Sequence, residues 1–217
     1  LHVFRRRQRQ MCIRDSQTCT APDYILCDAS VHDDLVLALR KNISQFFAEG
    51  VDAAKKDYCS IANEHHFNRL KCSLADALSD GAELVCGGET SKEGLHFTPA
   101  VLTGVNYDNS IMKEEIFGPI LPIIKVQSLD ESINYVNENE KPLALYLFSN
   151  KPAVHNEVLK GTSSGGMVIN DCVLHHMNPN LPFGGINNSG VGSYHGKFGF
   201  DAFSHHKAVL KLSLIHI

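Results

Sequence analysis

Several familiar patterns are missing from this chain, and each absence removes a class of function. No two cysteines stand in a Cys-x-x-Cys pair and no His-Glu-x-x-His occurs, so the common zinc spacings are absent. The 12 histidines include the adjacent pairs His65-His66, His175-His176 and His205-His206. Adjacent side chains cannot share one helix face, and no metal site is expected. No apolar run reaches the ~18 residues that a membrane-spanning helix requires. There is no convincing internal repeat and no low-complexity linker. No secretory signal precedes the cysteines, so a reduced, cytoplasmic protein is expected in place of a disulfide framework.

Basic residues are also scarce once the ends are considered. Residues 11–16, Met11-Cys12-Ile13-Arg14-Asp15-Ser16, can be written ATG TGT ATA AGA GAC AGN. Residues 212–217 can be written CTG TCT CTT ATA CAC ATC, the reverse complement apart from the end bases. Both match the transposon end used in sequencing libraries, and Arg6-Arg7-Gln8-Arg9-Gln10 translates the adapter before it. Residues 1–16 and 212–217 are therefore expected to be adapter-derived and are excluded from fold reasoning. The formal charge of −4 then becomes −8, with 15 basic against 23 acidic residues. The Arg-rich start is thus not a nucleic-acid arm, and no nucleic-acid partner is expected. Of 7 cysteines, Cys12 drops out and Cys19, Cys27, Cys59, Cys72, Cys86 and Cys172 remain.

What is present centres on Gln17-Thr18-Cys19-Thr20-Ala21-Pro22. Pro22 lacks an N–H and holds φ near −65°, which suits the turn before a strand at residues 24–27. Cys19 then lies on a loop at a strand entry, where a thiol can face a cleft. Local context leaves two readings open: a small buried hydrophobe, or a nucleophile.

Downstream, Asp33 and Asp34 open a helix in which Leu35, Val36, Leu39, Ile43, Phe46 and Phe47 repeat at helical spacing, with Gly50 ending it. Its aromatics read as core. Residues 51–60 form a polar connection. Phe67, Leu70, Leu74 and Leu78 mark a second amphipathic helix, closed by Asp80-Gly81. Residues 83–86 read as a strand, Gly87-Gly88 as a turn, and 97–105 as an extended run whose Pro99 places it toward an edge. Residues 120–126 are almost unbroken apolar, as in a strand buried on both faces. A helix over 129–139, a strand over 143–148, a helix over 152–159 and a strand over 166–170 follow. This alternation implies parallel strands with right-handed crossovers and places Asn170 near a ligand, beyond the strand ends. Gly190-Val191-Gly192 reads as turns and close packing or, less readily, as a phosphate loop, since Gly196 falls one place late for a dinucleotide fingerprint.

The stretch around Cys19 resembles the catalytic cysteine motif of the aldehyde dehydrogenase family, most closely its class 3 (fatty and aromatic aldehyde) branch. Lys113-Glu114-Glu115-Ile116-Phe117-Gly118-Pro119 and Leu181-Pro182-Phe183-Gly184-Gly185 are similar to two further motifs, in the family's order. Tyr194-His195-Gly196-Lys197 with Phe200-Asp201-Ala202-Phe203-Ser204-His205 is similar to the class 3 ending. One departure is Ser16, where the family has glycine; it falls in the adapter-derived segment.

The resemblance implies the catalytic domain of the aldehyde dehydrogenase fold, an α/β architecture with a mostly parallel sheet and flanking helices, truncated. The domain would span 17–190, with 191–211 a C-terminal segment of the same fold. It further implies Cys19 as nucleophile, with its backbone N–H as half of an oxyanion hole. Glu115 and Phe117 would contact the nicotinamide riboside of NAD or NADP, Phe183 would wall the substrate pocket, and Asn170 would border it. Without the motif, Glu115 would read as a solvated turn residue and Phe117 as core. The implied partners are a small-molecule aldehyde and, at full length, a second copy in a homodimer. The family's general-base glutamate, oxyanion asparagine and pyrophosphate turn precede the cysteine and are absent here, so the fragment is expected to be inactive alone. A CoA-acylating aldehyde dehydrogenase and a non-catalytic scaffold are the alternatives.

Overall fold

A computed structural model describes residues 17–47 and 58–212. They divide into two compact units, with the boundary after Asn139. Residues 1–16 and 213–217, the expected helix end at Gly50 and most of the polar connection lie outside the described residues.

The first unit is built on a four-stranded sheet. Its strands are β1 (Ile25–Asp28), β2 (Glu83–Cys86), β5 (Ala100–Thr103) and β6 (Ile120–Val126), in the spatial order β1-β6-β5-β2. β6 runs parallel to both β1 and β5, and only β2 is antiparallel. Side chains alternate along these strands, and the two faces are covered by different helices. On one face Cys27, Val101 and Ile123 pack against Leu35, Val36, Leu39 and Ile43 of helix α1 (His32–Phe46). On the other, Ala100, Leu102, Ile120 and Ile124 pack against Phe67, Leu70, Leu74 and Ala77 of helix α2 (Glu64–Ser79). Burial of each such large side chain contributes about 1.5–3 kcal/mol. A strand covered on both faces needs apolar residues at successive positions, which accounts for the run in β6, broken only by exposed Lys125.

α2 starts where the Asn63 side chain accepts the His66 N–H, an N-cap that satisfies one of the helix's free donors. Past its end, buried Asn109 donates to the Ala77 carbonyl and accepts from Ile111 N–H. The chain then runs through the 3-10 turn Ser110–Met112 toward β6. Helix α3 (Leu129–Glu138), capped by Ser128, is seated by aromatic contacts: Tyr135 stacks on Tyr107 at 4.4 Å and meets Tyr24 edge-on at 5.8 Å.

Three expectations need correction here. Residues 97–105 are not a single edge strand. The run breaks at Pro99 into β4 (His96–Phe97), which pairs with β3 (Thr90–Ser91), and into β5, which is interior to the main sheet. Because Pro99 stands between the two, its missing N–H interrupts neither ladder. Phe46 is 57% exposed and not core; it lies in the last turn of α1. The three alternating strands do not form one consecutive parallel set: β6 pairs with β1 and β5.

In the second unit, β7 (Ala144–Leu147), helix α4 (Pro152–Gly161) and β8 (Gly166–Ile169) form a strand–helix–strand unit with β7 and β8 parallel. Pro152 at the first helical turn suits its fixed φ. A loop with two 3-10 turns leads to the short helix α5 (Gly196–Ala202). The glycines near 190 are turn and packing residues: Gly192 has φ +76°, and its carbonyl lies where a Cβ on Gly184 would be.

Candidate active site

Cys19 is exposed and free, at the first inner position of a turn closed by Ala21 N–H donating to the Thr18 carbonyl at 3.0 Å. Thr20, next to it, is buried and fixes one side of that turn. The turn is fastened from its start by Gln17. Its amide donates to the Ser60 carbonyl at 3.0 Å and to Cys59 Sγ at 3.7 Å, and its oxygen accepts Ala62 N–H at 2.8 Å. Pro22 and Asp23 then carry the chain into β1. The thiol is thus outside the core on a turn whose two ends are held.

Glu115 and Phe117 lie on the loop between the 3-10 turn and β6. Glu115 is exposed, Ile116 between them is buried, and Phe117 is 38% exposed. Phe117 has φ +46°, a left-handed conformation rare for a bulky residue and kept only where the surroundings over-determine it. Asp23 accepts Ile116 N–H at 2.9 Å, and the Arg69 guanidinium donates to the carbonyls of Glu115 and Ile116 at 3.4 and 2.5 Å. Burial raises the Asp23 carboxyl above its ordinary value, opposed by the hydrogen bond from Ile116 and reinforced by the Glu115 charge. The loop carrying Glu115 and Phe117 is therefore tied to the segment that leaves Cys19.

Phe183 and Asn170 belong to the second unit. Asn170 follows β8 at φ +61°, which asparagine tolerates, and its Oδ1 accepts Ser149 N–H at 2.9 Å. It thereby ties together the C-terminal ends of β7 and β8, the end where ligands bind in parallel sheets. Phe183 is buried, paired with Tyr194 through two backbone hydrogen bonds of 2.9 Å and stacked on the His195 ring at 5.6 Å.

The model of the aldehyde dehydrogenase family matches residues 3–209. The chain belongs to the aldehyde dehydrogenase family. It is 43% identical over 204 residues to the rat aldehyde dehydrogenase named dimeric NADP-preferring, covering 94% of this chain and 44% of that protein. It is 45% identical over 194 residues to the 4,4'-diaponeurosporen-aldehyde dehydrogenase of Staphylococcus aureus, covering 89% of this chain and 41% of that one. Among solved structures, the substrate-bound state of Staphylococcus aureus AldH superposes with a TM-score of 0.84 at 40% identity, covering 96% of this chain and 47% of that chain. The NAD-dependent aldehyde dehydrogenase of Sinorhizobium meliloti gives a TM-score of 0.80 at 28% identity, covering 93% of this chain and 41% of that chain. The chain spans less than half the length of each of these relatives. These likenesses agree with an α/β aldehyde dehydrogenase fold in truncated form.

The sequence reading of this family member did not single out Asp23, Arg69 or His175. Asp23 carried a faint signal, an acid at the entry to an apolar strand; Arg69 carried another, a cation beside the apolar stripe of α2. His175 is 7% exposed, and neither ring nitrogen has a hydrogen-bond partner among the described residues. It sits over Gly166 and against the rings of Tyr146 and Phe183, with His176 also beside Phe183. Burial first, then His176, pushes its pKa below the ordinary histidine value. The unfolded chain therefore binds this proton more readily than the folded one. The contribution of a neutral, buried His175 is complete above about pH 6.5 and is lost as pH falls toward the depressed folded value. Thermal melts of wild type and His175→Leu between pH 7.5 and 5.5 check this: the variant should lose less stability on acidification. Parallel curves would show that His175 does not carry the effect.

Proposed function

We propose that the complete protein oxidises aldehydes, of medium or long chain or aromatic, to carboxylic acids with NAD or NADP. Exposed Cys19, on a held turn and joined through Asp23 to the loop of Glu115 and Phe117, is the observation that carries this reading.

An aldehyde carbon has no oxygen ready to carry positive charge, so direct loss of hydride is difficult. The Cys19 thiolate adds to the carbonyl carbon and gives a tetrahedral thiohemiacetal alkoxide, whose negatively charged oxygen can push the hydride out. The backbone N–H of Cys19 is one donor toward that oxygen. Held at Glu115 and Phe117, a bound NAD or NADP would supply the acceptor for the hydride that the alkoxide expels. The thioester left on Cys19 is hydrolysed by water, which returns the thiol and releases the acid.

The residues present suit such a cofactor. The Glu115 carboxylate stands in solvent and can accept ribose hydroxyl hydrogen bonds, while the partly exposed Phe117 ring can flank a nicotinamide. The resemblance assigns Phe183 and Asn170 to the aldehyde side, where apolar burial would drive binding of the tail. The complete protein is proposed to work as a cytoplasmic homodimer. Among the described residues no helix is long and apolar enough to cross a membrane.

The test is the complete reading frame, purified and supplied with an aldehyde series and either dinucleotide. NADH or NADPH formation is expected without any added thiol acceptor, with kcat/KM rising with the apolar surface of the aldehyde tail. Strict dependence on CoA would replace water by a thiol as acyl acceptor and overturn the hydrolytic reading.

A further inference from the structure

We infer that Asp23 and Arg69 are positioning residues that hold the loop of Glu115 and Phe117 in its cofactor-facing form, an inference that rests on the reading just given. The loop belongs to no sheet or helix, and its two outward residues flank a buried one. A segment with few backbone partners of its own ordinarily moves among several conformations. This one is gripped at Ile116 by groups of opposite charge. Asp23 accepts its N–H at 2.9 Å, and Arg69 donates to its carbonyl at 2.5 Å and to that of Glu115 at 3.4 Å. Hydrogen bonds of charged groups are roughly twice as strong as neutral ones. Asp23 is also partly shielded from water, which strengthens its pull on the amide.

Two further features bear on where the loop is held. Phe117 is held at φ +46°, so the loop is kept where a relaxed chain would not stay. Gly118 lies against the Leu70 side chain so closely that a Cβ there would occupy the same space, which brings the loop down onto α2 next to Arg69. The core beneath depends on Phe67, Leu70 and Leu74, none of which touches the proposed role of the guanidinium. Releasing Arg69 or Asp23 frees backbone groups that water can satisfy if the loop shifts. The consequence falls on where Glu115 and Phe117 point. Asp23 is 4 residues beyond Cys19, so one carboxylate links the path of the nucleophile turn to the path of this loop.

The complete enzyme tests this with Asp23→Ala, Asp23→Asn, Arg69→Met and Arg69→Lys. Cofactor affinity, kcat, aldehyde KM, the alkylation rate of Cys19 by iodoacetamide and thermal stability are read for each. Arg69→Met and Asp23→Ala should weaken cofactor binding or lower kcat by about ten- to a hundredfold, the usual effect of losing a charge-assisted hydrogen bond. Aldehyde KM and Cys19 alkylation should stay within about threefold, as expected for groups that do not touch the thiol. Asp23→Asn, which keeps an acceptor oxygen, and Arg69→Lys, which keeps one donor, should recover part of the loss even if the harsher variants fold poorly. Amide hydrogen exchange supplies a readout free of turnover: Ile116 and Phe117 should exchange faster in Asp23→Ala, with α2 core amides unchanged. Cofactor binding and kcat within twofold of wild type in all four variants would overturn the inference, as would a parallel fall of cofactor binding, alkylation and stability. If the wild-type enzyme binds no dinucleotide, the proposed function fails, while amide exchange still decides whether the clamp exists.

Discussion

Replacement of Cys19 by serine in the complete enzyme is expected to abolish turnover, leaving less than about one hundredth of the wild-type rate. A serine hydroxyl is a weak nucleophile unless a dedicated base removes its proton, whereas a thiol reaches its anionic form far more readily. The change is close to isosteric at an exposed turn position, so folding stability should move by no more than about 0.5 kcal/mol. Cys72, also exposed but on α2, provides the control: Cys72→Ser should leave turnover intact. Initial rates with equal amounts of folded protein check both. A Cys19→Ser enzyme that retains more than about a hundredth of the rate would place the nucleophile elsewhere.

The 217-residue chain by itself should produce no NADH from NAD and a medium-chain aldehyde. It spans 44% of the rat relative and 47% of the Staphylococcus aureus AldH chain. It contains Cys19, the proposed nucleophile, and the loop of Glu115 and Phe117, but the resemblance places the water-activating glutamate and the pyrophosphate turn outside it. Positioning and preorganised electrostatics supply most of an enzyme's barrier reduction, so a thiol without them adds to aldehydes with little turnover. The chain should also associate. Phe200, Phe203, Val209, Leu210 and Leu212 are each more than 70% exposed along one stretch of chain, and so much exposed apolar surface favours association. Sizing chromatography should show self-association, and the assay is made on the soluble, folded fraction. Steady NADH formation there would mean that the cofactor site is complete in this chain.

Local pattern alone was enough for the parts of this protein that depend on near neighbours. The spacing of Phe67, Leu70 and Leu74 names a helix and its buried face, because residues three and four apart stack on one side. The almost unbroken apolar run of β6 names a strand covered on both faces, and β7, α4 and β8 follow from alternation at crossover length. Local context leaves Cys19 open between a small buried hydrophobe and a nucleophile; the resemblance favours the second, and the fold places the thiol on an exposed turn.

Tertiary structure decided what periodicity cannot express. A pattern reports that a face is buried, but not which strand lies beside it, so β5 came out interior although Pro99 suggested an edge. Phe46 continues the helical pattern of α1 yet stays exposed. Asp23 meets Ile116 across 93 positions, and Arg69 reaches the same loop across 46 and 47. Such contacts exist only after two sheet strands and a helix have closed around one core. The chemistry of Cys19 is written in its own side chain, whereas the direction in which Glu115 and Phe117 face depends on charges brought to them by the fold.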